Sequence, residues 1–113
     1  MAVIIIALCG IVLDVVTGCI KALFTTGFNS TILREGGKHK FGEILAIIFS
    51  IFINFSLEYF SVSIGFDVTY LTCAYIFAME CISIIENIGE LNEKAIPNKI
   101  KKLFEKLNKE VEG

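Results

Sequence analysis

The stretch Gly10-Ile11-Val12-Leu13-Asp14-Val15-Val16-Thr17-Gly18-Cys19-Ile20-Lys21-Ala22-Leu23-Phe24 decides the fold. Residues 1–13 carry no charge, yet the same apolar run then admits an acid, a hydroxyl, a glycine and a base. Groups of this kind are expensive in hydrocarbon, so they turn toward a bundle interior or toward water. At helical spacing Gly10, Asp14, Thr17, Gly18 and Lys21 share one side. The helix thus shows lipid an apolar face and keeps a small, charged stripe for a partner, the pattern of membrane helices that pack or line a pore. Two readings of the stripe stay open: a pore or assembly surface between copies, and glue between helices of one subunit.

Composition points the same way. A chain of 113 residues has room for one domain, and 55% hydrophobic residues with a mean hydropathy of +0.74 are too apolar for an ordinary soluble one. A formal net charge of -2 argues against nucleic acid as a partner, because neutralising phosphates needs clustered surplus Lys and Arg. Cys9, Cys19, Cys73 and Cys81 all fall in apolar stretches without a short-spaced pair, and read as small buried hydrophobes. The start lacks the basic region and small-residue cleavage site of a signal peptide, so we expect an uncleaved N-terminus.

The first span covers residues 2–24, about 35 Å as a helix, enough for a hydrocarbon core about 30 Å thick. Residues 25–40 are rich in Gly, Ser and Thr and hold Arg34, Lys38 and Lys40, which predicts a loop or interfacial segment. His39, the single histidine, stands there between two lysines with no second ligand beside it, and reads as solvated surface. The second span covers residues 41–60; its polar residues Glu43, Ser50, Asn54, Glu58 and Ser61 share a helical face. A tight reversal at 61–67 leads to a third span at 68–88, with Glu80, Ser83 and Asn87 on one face and Glu86 near its end. Residues 1–89 form the transmembrane domain of an all-α membrane protein. By depth, Lys21 should meet Glu80, Glu86 or Glu43.

From Glu90 onward six lysines stand against five glutamates, and Ile100, Leu103, Phe104, Leu107 and Val111 make an apolar stripe behind Pro97. Residues 90–113 therefore read as a cytoplasmic tail with a short amphipathic helix. It can lie on the inner membrane surface, or pack on the protein's own cytoplasmic face or a neighbour's. Basic residues near short loops stay cytoplasmic, and three spans with the N-terminus outside and the C-terminus inside satisfy every loop.

A catalytic reading has little to stand on: no nucleophile has a base at suitable spacing, no Gly-rich phosphate loop appears, and no cofactor or metal motif is present. The candidate functional residues are instead a pore or assembly face. It comprises Gly10, Asp14, Thr17, Gly18 and Lys21 on the first span, Ser50, Asn54 and Glu58 on the second, and Glu80, Ser83, Glu86 and Asn87 on the third.

The pieces Asp14-Val-Val-Thr17-Gly18-Cys-Ile-Lys21-Ala22, Asn29-Ser30, Gly37-Lys38-His39-Lys40, Glu80-Cys-Ile-Ser83-Ile84-Ile-Glu86-Asn87, then Pro97 and a lysine-rich helix, follow one another over nearly the whole chain. In that order they resemble the phage lysis and toxin-secretion holins of Gram-positive bacteria and their phages. The resemblance implies a small, non-enzymatic protein of the bacterial host's cytoplasmic membrane that accumulates as a homo-oligomer. At a set time it would open lesions, releasing an endolysin or, in some relatives, a large toxin. The tail is less basic than the family pattern. An antiholin, a membrane regulator of lysis, would share the same motifs. A small multidrug-type transporter, also about this size and built on intramembrane acids, usually has four spans where three are visible here.

Overall fold

The computed structural model of the chain describes residues 1–25, 27 and 30–112; Asn29 of the Asn29-Ser30 motif lies outside them, as do the side chains of residues 30–32 and 112. Four helices follow one another: α1 (Ala2–Phe24), α2 (Ser30–Tyr59), α3 (Val68–Leu91) and α4 (Asn98–Glu112). The described residues contain no strand. Helices are what apolar segments of this length must form, since hydrocarbon offers no partner for an unpaired backbone group. α1, α3 and the part of α2 from Leu33 to Tyr59 are each long and apolar enough to cross a membrane.

α2 departs from the expected pattern. Its helix begins at Ser30 and not near Phe41, so the segment predicted as a loop is helical from Ser30 on. Gly36 and Gly37 each weaken a helix by about 1 kcal/mol relative to alanine. That loss is absorbed because the long apolar run behind them already forms the helix, and adding turns to an existing helix is cheap. The consequence is functional, because His39 and Lys40 become helical residues one turn before Glu43.

α1 and α3 lie side by side and run the same way: Gly10 opposes Glu80, Asp14 and Thr17 meet Asn87, and Lys21 reaches Glu90. α2 runs against both, with Lys40 at the level of Glu80 and Asn54 at Thr69. The shared apolar core is small: Ala7, Ile11, Ile47, Cys73 and Ile76, with Val3 and Ile4 against it. Most of the large apolar residues face outward, Phe49, Phe52 and Phe55 being 60%, 61% and 67% exposed. Such faces suit lipid. Cys9 is among the outward residues and only Cys73 is fully buried, which corrects the expectation of four buried cysteines. An outward cysteine on a membrane helix meets acyl chains and remains in apolar surroundings. α4 folds back on α3, with the Phe104 ring edge-on to Phe77 at 6.1 Å.

The α2–α3 reversal is tied at both ends. After α2, Ser61 takes φ +57 while its N–H bonds Glu58 O at 3.1 Å and the Val62 N–H bonds Leu57 O at 2.9 Å. That is the glycine-type helix stop, here formed by a serine. At the start of α3, Asp67 caps the helix by accepting from the Tyr70 N–H at 2.9 Å. Asn54 closes the hairpin from α2: its amide donates to Asp67 Oδ1 at 2.6 Å and Thr69 Oγ1 at 3.0 Å, and its carbonyl accepts from Val68 N at 3.0 Å. The Tyr70 N–H and the Asn54 amide together hold the Asp67 carboxyl below the usual carboxylate range. Its contribution is therefore complete above the ordinary carboxylate pKa and is lost as pH falls through the lowered folded value. Asn54→Leu should destabilise the detergent-solubilised protein by about 2 kcal/mol. In Asp67→Asn the acid-side loss of helix, followed by circular dichroism below about pH 4, should be shallower than in the parent.

Candidate functional site

Halfway along α1 and α3 the three long helices meet on a cluster of ionisable side chains. Lys40 projects from α2 and its Nζ donates to Asp14 Oδ2 on α1 and to Glu80 Oε2 on α3. The same ammonium lies 3.5 Å from Glu43 Oε1, one turn along its own helix. Asn87, two turns further along the same face of α3, donates to Asp14 Oδ1 and to Thr17 Oγ1, both at 3.0 Å. Thr17 passes its own proton back to Leu13 O at 2.9 Å. Glu80 is 1% exposed and Glu43 is 6% exposed. His39 Nε2 approaches Glu43 Oε1 at 3.7 Å from the outer side.

Small residues make this approach possible. A Cβ built on Gly10 would lie 3.4 Å from the Glu80 Cβ, and one on Gly18 would lie 3.6 Å from the Asn87 amide nitrogen. Both are contact distances, so anything larger than alanine would push α1 off α3. Close backbone approach through small residues is the usual way membrane helices bring polar groups together.

The twelve residues singled out from sequence divide into four sets. Gly10, Asp14, Thr17 and Gly18 on α1 and Glu80 and Asn87 on α3 come together in the cluster or on its wall. Ser50 and Asn54 are satisfied elsewhere, Ser50 donating to Ile47 O of its own helix at 2.6 Å and Asn54 tying the hairpin. Glu58 and Glu86 are exposed and Ser83 is half-buried. Lys21 does not meet Glu80, Glu86 or Glu43; it pairs with Glu90 at 3.7 Å, because the parallel register of α1 and α3 carries it a full turn beyond Asn87. Lys40, Glu43 and His39 are the cluster residues that the sequence reading left out of the site. The signal that could have found them is their spacing: once 39–43 is helical, His39 and Glu43 share a face, and Lys40 stands within a turn of Glu43.

Carboxylates, an ammonium, an amide and a hydroxyl in this arrangement can brace helices or hold a cation. Lys40 matters most to the balance, since it is the ammonium among three carboxylates. Breaking a buried pair by removing one partner typically costs about 3–5 kcal/mol, because the other charge is left uncompensated. Lys40→Met should therefore lower stability by about that amount, measured by denaturant unfolding in detergent. Lys40→Arg, which keeps the charge, should lose less; equal losses in both variants would assign the effect to shape alone.

Against known proteins, no curated protein and no solved structure matches the chain. A family model does, over nearly its whole length. The model is that of the bacteriophage holin family, and it matches residues 1–109. Taken with three helices able to cross a membrane, it makes the protein membrane-embedded. The chain belongs to the bacteriophage holin family.

Proposed function

We propose that the protein assembles in the host's cytoplasmic membrane and opens timed lesions through which an endolysin, or a toxin, leaves the cell. The observation that carries this reading is the charge left on the outside of membrane-length helices. Lys38, Glu58 and Glu86 are exposed, on α2 and α3. Lipid does not tolerate such groups singly, so they favour association of copies with these surfaces facing one another or facing water. A ring of enough copies encloses water without needing a substrate pocket, and its chemistry is passage and not catalysis.

Orientation follows from the basic residues. Lys21, Arg34 and Lys38 lie toward the α1–α2 end and six lysines follow Glu90, whereas residues 61–67 carry none. With basic segments retained inside, the N-terminus is outside and α4 is cytoplasmic. A single cysteine placed at Lys102, in a chain whose own cysteines are replaced, should resist a membrane-impermeant maleimide in intact cells and react after permeabilisation. Labelling in intact cells would reverse the topology.

The functional test is inducible expression in a bacterium with and without an endolysin that lacks a secretion signal. Abrupt loss of viability with lysis only when the endolysin is present supports lesion formation. Harmless accumulation that delays lysis by a second holin would make the protein an antiholin instead.

A further inference from the structure

The Glu43 carboxylate is buried in a way the helix-bracing role does not explain. Among the described residues neither of its oxygens has a hydrogen-bond partner unless Glu80 carries a proton between them, although Glu43 is only 6% exposed. Lys40 and His39 stand 3.5 and 3.7 Å away, and neither donates a hydrogen bond to it. Buried polar groups are nearly always satisfied, and an orphaned carboxylate calls for an unseen partner.

Three donor groups converge there. His39 and Glu43 are one turn apart on α2, Glu80 faces them from α3, and one ligand atom from each lies within 4.8 Å of the other two. Bundle proteins commonly build metal sites this way, from carboxylates and a histidine on facing helices. A nitrogen and two oxygens suit zinc and similar divalent transition metals. Charge agrees with the donor set: Asp14, Glu43 and Glu80 oppose one ammonium, Lys40, and a single divalent cation brings the sum to zero. Access agrees as well, because the His39 side chain is 62% exposed on the outer side of the cluster.

We propose that His39, Glu43 and Glu80 bind one divalent transition-metal cation that clamps α2 to α3. Zinc bonds of about 2.0–2.2 Å require the three donors to draw closer than they stand, and the exposed His39 ring is free to close that gap. Lys40 does not block the site. It keeps Asp14 as its partner, and Glu80 has a second oxygen to offer the metal. The inference is independent of lesion formation: metal binding is read on purified protein, so either can fail while the other stands.

The test is zinc titration of the full-length protein in lipid nanodiscs, in competition with a chromophoric chelator. One equivalent per chain should bind saturably and raise the unfolding temperature. His39→Gln changes an exposed side chain and Glu43→Gln keeps the shape of a buried one, so both retain the fold. Each should weaken zinc binding by at least about tenfold and reduce the thermal shift. The four cysteines are unchanged in every variant, so a loss in the variants reads this site alone. Absence of saturable binding to the folded parent would overturn the proposal and leave a proton shared by Glu43 and Glu80 as the partner. Undiminished affinity in either variant would also overturn it.

Discussion

Everything in this bundle depends on how one ammonium is shared among carboxylates in surroundings of low dielectric. Helices inside a bilayer gain nothing from hiding apolar surface, since acyl chains are as apolar as leucine, so packing and polar contacts must hold them together. The shared apolar core is correspondingly slight, five of the described residues with two more against it. α1 and α2 hardly touch one another directly, and each packs chiefly on α3. Among the described residues Lys40 is the charged side chain that joins all three, by bonding α1 at Asp14 and α3 at Glu80. The geometry of the cluster therefore sets the geometry of the bundle.

This arrangement divides the long helices by depth. Toward the Asn54–Asp67 end the runs 1–13, 44–57 and 68–79 carry no charge, and most of the large outward side chains there are Ile, Leu, Val and Phe. Toward the Phe24–Leu91 end charges appear on every helix, at Lys21, Arg34, Glu35, Lys38, Glu86 and Glu90. The cluster sits where these two regimes meet. At that boundary the ions are enclosed on the apolar side and open to the surroundings on the other, through the exposed His39. An ion cluster at the centre of a uniformly apolar bundle would have no such access and would need complete internal pairing.

How much of this was legible in the sequence follows from which signals are local. The three membrane-length helices were legible because long uncharged runs have one good solution in hydrocarbon. The α1 stripe was legible because helical spacing alone places Gly10, Asp14, Thr17 and Gly18 together. Its partner was not. Lys40 stands after Gly36 and Gly37 among Ser, Thr and basic residues, a composition that signals a loop, and only the apolar helix behind it carries the segment into helical form. Misreading those residues moved the cation from Lys40 to Lys21 and hid His39 as a second neighbour of Glu43. Register is likewise non-local: whether Lys21 reaches Glu86 or Glu90 depends on how α1 slides on α3, which Gly10 against Glu80 decides.

The same facts constrain how copies can associate. Asp14, Thr17 and Asn87 are satisfied within one chain, so a lesion lined by them would require each copy to break its own contacts and re-form them elsewhere. Opening one buried pair without replacement costs about 3–5 kcal/mol, so such an exchange has to be concerted between neighbours. Lys38, Glu58 and Glu86 impose no such requirement, since they already face outward. Opposite charges on these surfaces can meet across an interface while every internal contact persists. The cheapest assembly therefore keeps the Lys40 cluster closed as the brace of each subunit and uses the outward charges as its contacts.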